Sequence, residues 1–515
     1  MAETGFRKWI IVVTVVLSAI IELIDTTIVN VSLPQMMGNL GATLDEIAWV
    51  VTAYVFANVI VLPMSAWLSG VLGRRNYFVG SIVLFTIASF FCGNANGIWE
   101  LVLFRFVQGA AGGGLMATAQ SILVETFPPE ELAMATGLFG LGVVVGPTIG
   151  PTLGGWITDN FSWPWIFYVN LPIGALATVM SLMFIRDAAQ QRRVAAIDWL
   201  GILLLVVGIG SLQIVLDRGE RDDWFAAPYI TVLTILAAVG IVAFIWWELR
   251  AEHPVVDLRV LKNRTVAVGT VFTFFHGFGL ASSQFIFPVF IQHLLGFSPF
   301  QSGLLMFPSS FTAGLLMPVI AYIVRRGFPP QPLIIAGFLT FFGFTWGLSQ
   351  SSMVSGQWDF FWPLILRGFG MSLLFVPVTT LLLTGLSPRE THQVTGLTNM
   401  TRQLGSSFGV ALTATFVQYR IWAHRQDLLR YLTPFDFAFR QRLRLIIHGL
   451  MAQGSSFPEA QRQAYAAMEG TLTQQTYLLT YMDAFRIIGV AMLCCMPLLV
   501  LFRRRSGPVA MAAMH

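Results

Sequence analysis

An all-α integral membrane protein of fourteen spans is the fold class this sequence predicts, on three observations. Of its 515 residues 56% are hydrophobic and 11% charged, and mean hydropathy is +0.72, outside the composition of soluble domains. Apolar runs of about 20 residues, the length that crosses a bilayer as helix, recur along the whole chain. Arginines gather on alternate connections between those runs.

The spans read as 10–33, 47–68, 77–96, 99–123, 134–156, 165–185, 197–216, 228–248, 267–292, 302–324, 332–350, 360–384, 394–417 and 479–502. Helix is forced because backbone groups find no water in lipid. On one side lie Arg7, Lys8, Arg74, Arg75, Arg186, Arg192, Arg193, Arg250, Arg259, Lys262, Arg264, Arg325, Arg326, Arg389 and the arginines at 503–505. The opposite loops 34–46, 157–164, 293–301 and 351–359 carry no Lys or Arg. The positive-inside rule then puts both termini in the cytoplasm. Two stretches fit less well: the acidic inner loop Glu125–Glu131, and outer loop 217–227 with Arg218 and Arg221.

The first span holds two acids, Glu22 and Asp25, near its middle. Each ionised carboxylate there costs roughly 2.5–3.5 kcal/mol. Ser18, Glu22, Asp25, Val29 and Ser32 share one helical face, which therefore looks into protein or a watery cavity. Two acids one turn apart cannot easily both ionise and titrate as a coupled pair, the basic part of a proton-driven machine. A pair satisfied by hydrogen bonds from a neighbouring helix is the alternative. Pro34 closes the span.

In span five, Gly142, Gly146, Gly150 and Gly154 repeat every four residues and let another backbone approach. Pro147 and Pro151 each remove a helix hydrogen bond and favour a bend. A smooth, bent face suits a helix that rocks against its partner; a static packing seam is the rival.

Other polar residues inside spans are candidate substrate-cavity groups: Asn30, Gln108, Gln120, His276, Gln284, Asn399, Arg402 and Gln403, with Phe275 in the aromatic-rich seventh span of the half-repeat count. Aromatic walls suit flat hydrophobic ligands, although such helices mostly pack or face lipid. Arg367 and Arg402 could meet an anionic ligand or tie helices together. Segment 418–478 is the one long polar insertion, on the outside. Ser456-Phe457-Pro458-Glu459 starts a helix there with a break near Gly470, and 435–448 suits a membrane surface or a docking surface for a partner.

Several functions are excluded. Lysine occurs only at Lys8 and Lys262, neither in a Gly-rich phosphate loop, so no Walker-type ATPase is present. Cys92, Cys494 and Cys495 lie in apolar runs, and adjacent cysteines diverge on a helix, so neither a disulfide nor a metal site is expected. A net charge of +4 from loop arginines argues topology, not nucleic acid.

The motifs resemble those of a known family. Gly146-Pro147-x-x-Gly150 with Gly154-Gly155 is similar to the antiporter motif of major facilitator superfamily exporters. Leu23-Ile24-Asp25-Thr26-Thr27 through Pro34 resembles the first-span motif of its fourteen-helix drug:proton antiporters, and Trp165–Gly174 also fits them. Arg105-Phe106-Val107-Gln108-Gly109 matches the buried-arginine motif. With the long outer loop, the resemblance is closest to EmrB-type exporters. One motif is degraded: Gly73, Arg74 and Arg75 stand in the loop after span two, but Gly70 replaces the usual acid.

The resemblance implies a major facilitator fold: two six-helix bundles, 1–186 and 267–515, with two additional helices in 187–266. It implies a proton-coupled multidrug efflux transporter, not an enzyme, in a bacterial cytoplasmic (inner) membrane. Glu22, Asp25 and Arg105 would couple protons, and no cofactor beyond the proton gradient would be needed. A periplasmic membrane-fusion adaptor of the EmrA type and an outer-membrane channel of the TolC type would be partners. A proton symporter for one metabolite or siderophore, and a non-transporting receptor, are the rival readings.

Overall fold

The computed structural model describes residues 7–186, 198–252, 254–383, 386 and 388–501, less the side chains of a few helical residues, Pro147 and Arg389 among them. Arg192, Arg193 and the arginines at 503–505, used above for orientation, lie outside the described residues.

Helix covers every expected span. The first six spans are α1 (Arg7–Leu40), α2 (Leu44–Leu72), α3 (Arg74–Gly93), α4 with α5 (Ile98–Gly112 and Leu115–Thr126), α6 (Pro129–Asn160), and α7 with α8 (Trp165–Tyr168 and Asn170–Phe184). Next come α9 (Trp199–Leu205) and α10 (Ser211–Arg218), joined by a π turn, and α11 (Pro228–Glu248). The second half holds α12 (Arg264–Leu295), α13 (Pro299–Arg325), α14 (Pro330–Leu348), α15 (Gln357–Leu383), α16 (Pro388–Leu429), α17 (Phe437–Ala452) and α18 (Phe457–Leu493). Twelve of these segments are long and apolar enough to cross a membrane. Spans 134–156 and 394–417 fall outside that measure although α6 and α16 cover them; α16 carries Asn399, Arg402 and Gln403.

Three details differ from the sequence expectation. Pro34 does not end α1, which continues to Leu40; the only intrahelical bond it forfeits is to the Asn30 carbonyl, on an exposed residue. Pro147 and Pro151 lie within a continuous helix, α6, from Pro129 to Asn160. Ser456 makes no side-chain cap, and α18 passes Gly470 without a break.

Apolar packing gathers two cores. Ile11, Val15, Phe78, Phe85, Ile122 and Phe139, with Ile24, Ile28, Leu101 and Phe167 beyond them, bind α1–α8 together. Phe287, Phe290, Phe338, Phe341, Phe360 and Phe485 lie in the core that binds α12–α16 and α18. The glycine face of α6 lies along α1: a methyl group at Gly154 would sit 2.8 Å from the Ile28 carbonyl, one at Gly146 2.8 Å from Leu23 Cβ, and one at Gly142 3.2 Å from Val16. Gly150 meets Thr27 in the same way. The opposite side of α6 packs on α13, Gly137 meeting the Met317 backbone and Gly303 meeting Thr152. Leu205, Ile209 and Phe244 of the additional helices pack against Val59 and Leu62 of α2 and against Leu397 and Met400 of α16. That pair therefore touches both cores.

The acidic inner loop finds its explanation here. Glu131 pairs with Lys8, and Glu125 pairs with Arg74, so the acids sit among the basic residues of the same side. Glu125, at the end of α5, supplies Arg74 with the carboxylate that Gly70 lacks. Gly73 takes φ 85°, a left-handed value that favours glycine, and turns the chain so that Arg75 donates to the Leu182 carbonyl at 2.6 Å.

On the outside, α16 and α18 extend beyond the spans, and α17 packs on α18 through Leu443, Ile446, Ile447 and Leu450 against Ala460 and Ala464. Ala464 stands some 15 residues before the start of the last span, about 22 Å along a helix. One apolar side of α17 is thus used by α18 in a stalk, while Phe435, Phe437 and Leu445 of the same segment stay exposed. Asp483 accepts from Arg420 Nε at 2.9 Å and contacts His424 Nε2 at 2.9 Å, tying α16 to α18 at the stalk's base.

Candidate functional site

Local packing brings α4 against α2 at glycine. Gly109 and Gly113 abut the backbones of Tyr54 and Asn58, so Arg105, one turn earlier, reaches past α2 to α1. Its Nη1 donates to Asp25 Oδ2 at 2.5 Å and to Gln108 Oε1 at 2.7 Å, and its Nε donates to the Val50 carbonyl at 3.2 Å. Asp25 Oδ1 accepts from Gln108 Nε2 at 2.9 Å and from Asn170 Nδ2 at 2.8 Å. Gln108 Nε2 also donates to Ser89 at 2.7 Å. The guanidinium lies 4.1 Å from the centre of the Tyr54 ring. Asp25, Arg105, Gln108 and Asn170 are all at most 1% exposed. This is a buried ion pair whose polar groups are satisfied, the condition under which such a pair is tolerated.

Glu22 differs. Its Oε1 accepts from Asn58 Nδ2 at 2.9 Å, whereas buried Oε2 has no hydrogen-bond partner among the described residues. No cation lies within ion-pair distance of it among the described residues. One acid is therefore paired with an arginine and fully hydrogen-bonded, and the other keeps a buried oxygen without a hydrogen-bond partner among the described residues.

Between the halves is a narrow cavity of about 30 Å³, room for two or three waters. Gln120 of α5 lines it with Thr273 and His276 of α12, Phe375 and Val378 of α15, and Asn399 and Arg402 of α16. Asn399 Nδ2 donates to Gln120 Oε1 at 3.0 Å across the halves, and Arg402 Nη2 donates to Asn399 Oδ1 at 2.6 Å. His276 Nε2 has no partner among the described residues.

Of the residues suggested by sequence for the cavity, Gln120, His276, Asn399 and Arg402 line it; the others do not. Gln108 is spent on Asp25. Asn30 is exposed and donates to the Thr26 carbonyl at 3.4 Å. Phe275 packs on the rings of Phe274 and Phe278, and Gln284 and Gln403 lie outside the lining. A polar residue in an apolar run says only that it avoids lipid, not which partner it meets. Sequence reasoning passed over Asn58, Ser89 and Asn170; the signal for Asn58 was a lone amide inside span two.

Two helical bundles with a buried ion pair in one, a polar cavity at their boundary and many apolar helices around them define a multi-pass membrane transporter. Residues 15–410 match the model of the Major Facilitator Superfamily, and the chain belongs to that family. It is 34% identical over 436 residues to "Multidrug export protein EmrB" of Escherichia coli (strain K12), covering 84% of each chain. It is 31% identical to "Fatty acid resistance protein FarB" of Neisseria gonorrhoeae, over 94% of this chain and 93% of the relative. In fold it is similar to the human organic anion transporter MFSD10 (TETRAN), with a TM-score of 0.61 at 14% identity over 96% of this chain and 99% of that one. It is similar also to the proton:xylose symporter XylE, with a TM-score of 0.60 at 12% identity over 96% of both.

Proposed function

We propose that this chain is a proton-driven exporter of hydrophobic compounds that works by alternating access, with Glu22 as its proton carrier. The observation that carries the reading is the pair of acids in unlike settings. Asp25 is saturated by Arg105, Gln108 and Asn170, while Glu22 keeps a buried oxygen without a partner among the described residues. An intramembrane acid is a functional site by default, and only an acid with a vacant position can gain a proton without breaking a network. The names of the EmrB and FarB relatives, export and resistance proteins, support the direction and breadth of transport.

The halves are 1–186 and 267–515, with 187–266 as the additional pair. Protons entering from outside reach Glu22 and favour the return to the inward-facing state; release inside accompanies capture of the drug. The membrane potential supplies about 2.3 kcal/mol per charge per 100 mV, and no cofactor is needed. Gly142, Gly146, Gly150 and Gly154 let α6 slide on α1, with Pro147 and Pro151 limiting its hydrogen bonding. The protein sits in a bacterial cytoplasmic membrane with both termini inside. Its stalk, where Phe435 is 91% and Trp422 68% exposed, meets a periplasmic membrane-fusion adaptor that leads to an outer-membrane channel.

The test is proton-dependent drug uptake by everted vesicles. Glu22→Gln should abolish it while drug binding to the purified protein persists; unchanged uptake would remove Glu22 from the mechanism.

A further inference from the structure

We infer that Arg402 is the positioning residue through which the second half senses the proton on Glu22, an assignment that rests on the proposed role of Glu22. Arg402 belongs to α16, yet its Nη2 lies 3.5 Å from Met116 Sδ of α5 and is oriented by Asn399, which itself bonds across to Gln120. Glu22 of α1 sits beside the Met116 backbone, and α5, which carries Met116, packs on both α1 and α16. Arg402 also lines the cavity between the halves.

The remaining ionisable groups around Glu22 do not offer the same link. Asp25 of α1 and Arg105 of α4 neutralise one another. Tyr54 of α2 and Tyr77 of α3 are neutral phenols. All four lie in the first half. Beyond Arg402 stand His276 of α12 and Arg367 of α15, both in the second half. Arg367 donates to Ser283 at 3.0 Å and Ser309 at 3.1 Å within that half.

The consequence is mechanical. With Glu22 ionised, its attraction for Arg402 draws α16 toward α1 and α5 in a poorly hydrated setting where charges act strongly. With Glu22 neutral, that attraction ends, while the Asn399–Gln120 bond and the packing of α6 on α13 remain. A proton bound in one half thereby changes the adhesion between the two, and it does so at the wall of the cavity.

The experiment reads the two halves directly. Spin labels at exposed Asn76 and Phe328, in a Cys494→Ser background with buried Cys92 and Cys495 retained, report the ratio of inward-open to closed molecules. In the wild type that ratio should change by roughly tenfold between acidic and alkaline buffer. Arg402→Gln should reduce the change to about twofold or less, and Arg402→Lys should retain most of it. In a Glu22→Gln background, Arg402→Gln should add nothing. Arg402→Met, of similar volume, replaces the glutamine variant should that one fail to fold. An equal effect of Arg402→Gln in both backgrounds overturns the inference while leaving Glu22 in place, as does an Arg402→Lys variant no better than Arg402→Gln. Identical responses of wild type and Glu22→Gln refute the role of Glu22 itself, and this inference with it.

Discussion

Replacing each acid of the first span by its amide should separate structure from coupling. Asp25 accepts three hydrogen bonds, from Arg105 at 2.5 Å, Gln108 at 2.9 Å and Asn170 at 2.8 Å. Asn offers one acceptor oxygen, so its amide nitrogen must face a donor in either orientation. If the nitrogen faces Oδ2's site it meets Arg105; if it faces Oδ1's site it meets Gln108 and Asn170. In both cases a guanidinium 1% exposed loses its counter-charge, a change that costs about 3–5 kcal/mol. Glu22→Gln is different: Gln keeps the bond from Asn58 through its oxygen and places its nitrogen where no partner stood. It removes a charge that no ion pair holds among the described residues and should cost under about 1 kcal/mol. Thermal unfolding of detergent-purified protein, followed by tryptophan fluorescence, checks the contrast. Asp25→Asn should melt several degrees below wild type, and Glu22→Gln close to it. An Asp25→Asn variant as stable as wild type, with Glu22→Gln the weaker, would refute the reading of the network.

Three further outcomes follow from other sites. Arg367 is 1% exposed and has no carboxylate within ion-pair distance among the described residues, so Arg367→Met should be tolerated within about 1 kcal/mol, whereas Arg105→Met, which strands Asp25, should cost about 3–5 kcal/mol; melting curves of the two decide. Gly154→Ala puts a methyl group against the Ile28 carbonyl and should destabilise by about 1–3 kcal/mol, while Gly142→Ala, facing only the movable tips of Val16 and Ile20, should cost less; comparison of their unfolding midpoints tests the order. Ile447→Asp should release α17 from α18, since it buries a charge against Ala460 and Ala464; faster protease cleavage at 430–456 without loss of vesicle transport is the expected sign.

The helices were legible because lipid allows nothing else: an apolar run of span length has one stable backbone form. The glycine face of span five was legible as a close-contact surface, and its partner is α1. Partners were harder. Gln108 and Gln120 both read as polar residues in the fourth span, yet one serves Asp25 and the other the cavity, because twelve residues of helix leave them about 120° apart around the axis. The stripe of α17 reads equally well for a bilayer and for a neighbouring helix, and the sequence did not show that Leu443, Ile446, Ile447 and Leu450 meet Ala460 and Ala464. Gly70 hid an ion pair that Glu125 makes from a distant position in the chain.

Arg402 and the stalk belong to one continuous helix, α16, of 42 residues. From Arg402 to its tip at Leu429 the axis runs about 40 Å. Such a rod acts as a lever: a tilt of about 10° at the cavity would sweep the tip by about 7 Å over that length. Whatever grips the outer end is thereby informed, mechanically and without any diffusing messenger, of the stage the transport cycle has reached.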